Sequence, residues 1–116
     1  MLCRLNTSEA IRREGLQKGP GGGWCTYAIS PGGAREGSHL KMVGRIALDP
    51  GAAVGGHPHE VDEEVYVVLS GVGVYLDGDT EYEVGPGDVT VTFRGERHGL
   101  RNTGTEPLVF LAFIAG

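Results

Sequence analysis

The chain has 116 residues with 10 Lys+Arg against 15 Asp+Glu, a formal charge of −5; this fits one domain and leaves no basic stripe for a nucleic-acid backbone. Glycine supplies 21 residues and proline 6, short of the level that marks disorder, and 40% of the chain is hydrophobic, so the composition reads as a turn-rich all-β domain with a small core. The longest unbroken apolar run, Leu108 to Ala115, is far below the ~20 residues that a membrane helix needs.

Met1 to Asn6 lacks the apolar stretch of a secretory signal. Cys3 and Cys25 are not a C-x-x-C pair and read as two reduced thiols of a cytoplasmic protein. Thr7 or Ser8 as N-cap, Glu9 in the first turn and Gly15 as a stop predict one or two helical turns over residues 7–14. Gly19 to Gly23 is a connector, Trp24 to Ile29 a predicted strand, and Pro31 to Ser38 a loop. Residues 1–40 therefore read as an amino-terminal arm, helical or irregular at its start, ahead of a barrel over residues 41–116.

From Lys41 onward, short apolar-rich runs alternate with turn signals. Strands are predicted over residues 41–48, 52–59, 64–69, 72–76, 80–84, 88–93, 98–102 and 107–114. Such regular spacing predicts an antiparallel sandwich or barrel. Asp77-Gly78 suits a type I′ hairpin.

Four histidines occur, and their placement carries the chemistry. His57 and His59 stand two apart, so on a strand both imidazoles face the same side. Glu64 opens the next strand and an antiparallel return brings its carboxylate back beside them. His98 arrives from a strand much further along. Neutral imidazoles and a carboxylate on a stiff sheet form an N/O site for a divalent first-row metal.

These residues resemble the cupin superfamily over about residues 41–114. The first cupin motif (glycine, five residues, H-x-H, three or four residues, glutamate, six residues, glycine) is matched by Gly51, His57, His59, Glu64 and Gly71. The second (glycine, five residues, P-x-G, two residues, histidine, three residues, asparagine) is matched by Gly87, Gly95, His98 and Asn102, with Phe93 in place of the proline. The resemblance implies a cupin-type double-stranded β-helix, or jelly-roll barrel, with His57, His59, Glu64 and His98 as ligands to Mn, Fe, Ni or Zn. It also implies a homodimer, with residues 24–29 lent as a strand to a partner's sheet.

Glu63 fits the shorter gap after His59 but leaves seven residues before Gly71, so Glu64 is the predicted ligand; Glu60, Asp62 and Glu63 become a solvated acidic turn. His39 reads as a surface histidine, and Asn102 as a residue that fixes the loop near His98. Same-side parity from Glu64 marks Tyr66 and Val68. Phe93, Leu100 and Phe113 are candidates for an apolar cavity wall, each with core filling as the competing role. Arg45, inside an apolar strand, is a candidate contact for an anionic substrate, against exposure on a face or pairing with an acidic neighbour.

The ligand set names a site and not a reaction. Cupins that carry it include oxalate decarboxylases and oxidases, dioxygenases, lyases and sugar isomerases. Oxalate decarboxylases usually have an arginine three residues before the first histidine, where this chain has Val54, which weighs against oxalate cleavage. Tyr66 is the one catalytic candidate beside the ligands. The expectation is a small-molecule metallo-cupin of dioxygenase-like or related chemistry. The alternatives are a non-catalytic binder of a small anion or sugar derivative, and a metal-stapled structural or sensor domain.

Overall fold

A computed structural model describes all residues, 1–116. Ten strands follow in chain order: β1 (Ile11–Glu14), β2 (Gly22–Ile29), β3 (Leu40–Leu48), β4 (Ala53–Pro58), β5 (Glu63–Ser70), β6 (Gly73–Asp77), β7 (Thr80–Val84), β8 (Val89–Thr92), β9 (Arg97–Asn102) and β10 (Leu108–Ala115), with one 3₁₀ turn at Leu16–Lys18. They form two antiparallel sheets, a six-stranded one in the order β1-β2-β3-β10-β5-β8 and a four-stranded one in the order β4-β9-β6-β7. The architecture is an all-β jelly roll, and every strand predicted from residue 24 onward is present.

Strand alternation sends every second residue between the sheets. Met42, Ile46 and Leu48 of β3, Tyr66 and Val68 of β5, and Leu108, Phe110 and Ala112 of β10 meet Tyr75 and Leu100 of the smaller sheet in one core. Leu48, Leu108 and Phe110 are fully buried, each contributing about 1.5–3 kcal/mol by removal from water. Asn102, also buried, donates from Nδ2 to the carbonyls of Leu48 and Glu106 and accepts from Gly104 N–H at Oδ1. It ties the loop after β9 to β3, the fixing role expected of it.

The predicted helical turns over residues 7–14 are not formed. Ser8 N–H and Oγ both donate to the Arg4 carbonyl in a turn, and Ile11–Glu14 pairs with Gly22–Cys25 as an edge strand. An isolated two-turn helix is marginal in water, whereas a neighbouring strand satisfies the same backbone groups. Within Trp24–Ile29, Trp24 and Cys25 pair with both β1 and β3, while Thr26, Tyr27 and Ile29 pair with β3 and have no strand partner on the β1 side.

The β6–β7 hairpin closes on Asp77 opposite Thr80. Of its two central residues only Gly78 has positive φ (59°), the pattern of type II′ rather than the expected I′. Gly71, Gly87 and Gly95 take φ of 85°, 91° and 88° at strand-joining turns, as the motifs require.

Candidate metal centre

β4 and β9 run antiparallel with His57 directly opposite His98. His59 is the first residue past β4; its N–H donates to the Glu96 carbonyl (2.9 Å) and its own carbonyl accepts from Gly95 N–H (2.6 Å). Glu64 comes from β5 of the larger sheet, where parity turns it, Tyr66 and Val68 inward while Glu63 stays exposed. The site thus joins the two sheets at one open end of the sandwich.

The four side chains converge. His98 Nε2 lies 3.1 Å from His57 Nε2 and 3.0 Å from His59 Nε2, and Glu64 Oε1 lies 3.1 Å from His59 Nε2 and 3.0 Å from His98 Nε2. One donor atom from each of the four falls within 4.8 Å of every other. His59, Glu64 and His98 are buried and His57 half-buried.

The opposite ring nitrogens show what this cluster suits. His57 Nδ1 donates to the Gly55 carbonyl (2.8 Å) and His59 Nδ1 to Asp62 Oδ1 (2.6 Å). Both acceptors lack a hydrogen, so the tautomer of each ring is fixed. His98 Nδ1 lies 2.7 Å from Thr92 Oγ1, which is 2.9 Å from the Tyr75 hydroxyl. With Nδ1 of His57 and His59 committed outward, their Nε2 atoms gather with His98 Nε2 and the Glu64 carboxylate at spacings of about 3 Å, which a shared proton or a metal ion relieves. The donor set fits a divalent first-row metal, and outward bonds of this kind orient metal-binding histidines.

The electrostatics of the ion-free chain agree. Burial of Glu64 disfavours its charge, but hydrogen bonds from His59 and His98 outweigh burial and hold the carboxyl below its usual range. The same bond to Glu64 raises the His59 pKa against the opposing effect of burial, with Asp62 adding to it. Burial lowers that of His57. A proton on His59 therefore occupies the place that a metal ion would take, and the two compete.

A cavity of about 540 Å³ opens on this cluster, with Leu16, Met42, Ile46, Val54, Tyr66 and Ile114 as apolar wall. Tyr66 stacks on His98 (centroids 5.0 Å apart, 23° between planes) and packs on Phe110. Its full burial, and then the charge of Glu64, push the hydroxyl well above its ordinary pKa. It stays protonated at neutral pH, a hydrogen-bond donor rather than a base.

None of the three candidates for the cavity wall lines it, and the competing role of core filling holds for Leu100. Phe93 lies past the end of β8 and is 57% exposed. Leu100 is core, and Phe113 occupies the outward-facing positions of β10 between inward Ala112 and half-buried Ile114. Arg45 also points away: it donates to Asn6 Oδ1 (2.8 Å) and to the Leu5 carbonyl (3.1 Å), pinning the amino-terminal segment. His39 is exposed, as expected. Asp62 is not a solvated turn residue but the partner of His59, with Lys41 3.7 Å from its other oxygen. The i,i+3 spacing of His59 and Asp62 was its signal; Thr92 and the Gly55 carbonyl carried none.

The Cupin domain family matches residues 44–114. An oxalate-binding protein of Thermotoga maritima is 41% identical over 116 residues, covering 98% of this chain and 93% of its own length. The crystal structure of a predicted oxalate decarboxylase from Thermotoga maritima superposes with a TM-score of 0.90 at 32% identity, covering 99% of this chain and 98% of that one. A cupin 2 conserved barrel domain protein from Salinispora arenicola (TM-score 0.74, 15% identity, 100% and 88% covered) shares the fold.

Proposed function

The chain belongs to the cupin family, and on that premise we propose that His57, His59, Glu64 and His98 bind a divalent metal ion (Mn, Fe, Ni or Zn) which holds a small carboxylate such as oxalate. The observation that carries this reading is the inward convergence of three Nε2 atoms and Glu64 Oε1, with each outward Nδ1 already bonded. The ion supplies positive charge and an open coordination position for an oxyanion. The chain's own residues orient the ligands, exclude water along an apolar wall, and present the protonated Tyr66 hydroxyl.

The name of the Thermotoga maritima relative supports oxalate as the ligand class. Val54 lies on the cavity wall at the position where the family's oxalate-cleaving members carry an arginine, which favours holding the ligand over cleaving it. Turnover of a larger carboxylated substrate is the second reading, favoured by a cavity of about 540 Å³, within the range used for drug-sized molecules. Titration of oxalate into metal-loaded and chelated protein tests the proposal. Binding that requires the metal supports it; equal binding, or none, contradicts it.

We also infer a homodimer formed through the outer face of the six-stranded sheet. One row across that face reads Ile29, Val43, Phe113, Val65 and Val91, and Trp24, Leu69 and Val89 on the same side are exposed. A second copy offers a matching face about a two-fold axis. A monomeric mass in solution contradicts this. Cytoplasmic residence is inferred from two free thiols, Cys3 and Cys25, and no helix is long and apolar enough to cross a membrane; cell fractionation tests the location.

A further inference from the structure

We propose that Arg13 binds a second anionic group of the ligand held at the metal centre, which makes a dianion the preferred ligand class. This inference rests on the metal-cupin reading above and adds to it a residue from outside the cupin motifs.

Strand alternation separates Arg13 from its neighbours. Arg12 and Glu14 share the outer face of β1, where Arg12 Nε lies 2.7 Å from Glu14 Oε1, its guanidinium pairs with Asp49, and it lies over the Trp24 ring at 5.6 Å. Arg13, opposite Gly23 in the register, lies in the inward row that continues to Leu48 and Leu108. It lines the same cavity as His57, His59 and Glu64.

The position of Arg13 is prepared. Its guanidinium lies 5.5 Å from the centroid of the Tyr27 ring, a cation–π distance. The ring lies over Gly44, where an added Cβ would come within 2.6 Å of Tyr27 Cδ1. Only the absence of a side chain at residue 44 admits this platform.

Charge completes the argument. Lys41, the other lysine or arginine on the cavity wall, lies 3.7 Å from Asp62, and the carboxylate of Glu14 is taken by Arg12. Arg13 takes part in no ion pair. Its planar fork, matched to a carboxylate, is the one cavity cation without a carboxylate partner. A divalent ion against Glu64 leaves one net positive charge at the centre, and Arg13 places a second at the rim. A ligand with an anionic group at each end answers both.

The test is calorimetric titration of Mn-loaded protein with oxalate, malonate and succinate, compared with acetate and propionate. Wild-type protein is expected to bind at least one dicarboxylate about tenfold or more tightly than the monocarboxylates, the scale of a charge-assisted contact. Arg13→Ala should lose that margin while keeping its Mn stoichiometry and its acetate affinity. Arg13→Lys, which keeps the charge without the fork, should fall between, and Arg12→Ala should match wild type. A dicarboxylate margin undiminished in Arg13→Ala overturns the role of Arg13 and leaves the metal-cupin reading standing. Wild-type protein that binds dicarboxylates no better than monocarboxylates overturns the role of Arg13 as well. Failure of wild-type protein to bind any of the five overturns both.

Discussion

His59 donates a 2.6 Å hydrogen bond from Nδ1 to Oδ1 of Asp62, three positions further along the chain. That bond fixes the ring so that Nε2 faces Glu64 and His98. Asp62→Ala frees the ring and removes the carboxylate that strengthens it as a ligand, so metal affinity should fall about 10–100-fold. Competition against a chelator measures this, and an unchanged affinity contradicts the role.

Thr92 is buried between the Tyr75 hydroxyl and His98 Nδ1. Thr92→Val keeps the shape and strands both partners without a hydrogen bond, at a cost of about 1–3 kcal/mol. Urea denaturation of the chelated protein reads the loss directly. Stability equal to wild type would show that neither partner depends on the threonine.

Gly55 sits beneath the 3₁₀ turn: an added Cβ would lie 2.2 Å from the Gln17 carbonyl oxygen and 3.1 Å from Gly19 N. The Gly55 carbonyl also accepts from His57 Nδ1. Gly55→Ala must therefore move the turn, or β4, or both, and should lower the melting temperature and weaken metal binding together. A variant that loses neither contradicts the close packing.

The strands after residue 40 were legible because apolar alternation and glycine turns are local signals; the H-x-H parity with Glu64 placed three side chains in one space, and the second cupin motif added His98. What escaped was set by distant partners. Ile11–Glu14 shows no strand signal of its own and becomes a strand only beside Gly22–Cys25. Leu108 to Ala115 is apolar throughout, so no polar residue marks which face Phe113 takes. Arg45 finds its partners about forty positions away, at Leu5 and Asn6, and Asp62 looked like one more acid in an acidic turn.

Protons and metal compete at His59, and the sign of the pH dependence follows. Without metal, the hydrogen bond to Glu64 raises the His59 pKa above its usual value of about 6.5. That contribution to stability is full below the unfolded value and is lost as pH rises through the raised folded value. Burial lowers the pKa of His57, so its contribution is present above about 6.5 and is lost as pH falls toward the lowered value. The first is lost above about 6.5 and the second below it, so from about pH 7.5 to 5.5 the melting temperature of chelated protein should pass through a maximum at about pH 6.5. Bound metal needs neutral imidazoles, so the rise in melting temperature that it gives should shrink steadily over the same range. Melting curves with and without chelator measure this, and a rise that stays constant with pH contradicts the competition.

The most direct measurement is anomalous diffraction at the absorption edge of the metal found in protein purified without chelator. A single strong peak is expected within about 2.0–2.3 Å of Nε2 of His57, His59 and His98 and of a Glu64 carboxylate oxygen, and it should vanish in His98→Ala. Stoichiometric metal with no peak at these four side chains, or protein that takes up no ion even when metal is supplied, would contradict the account.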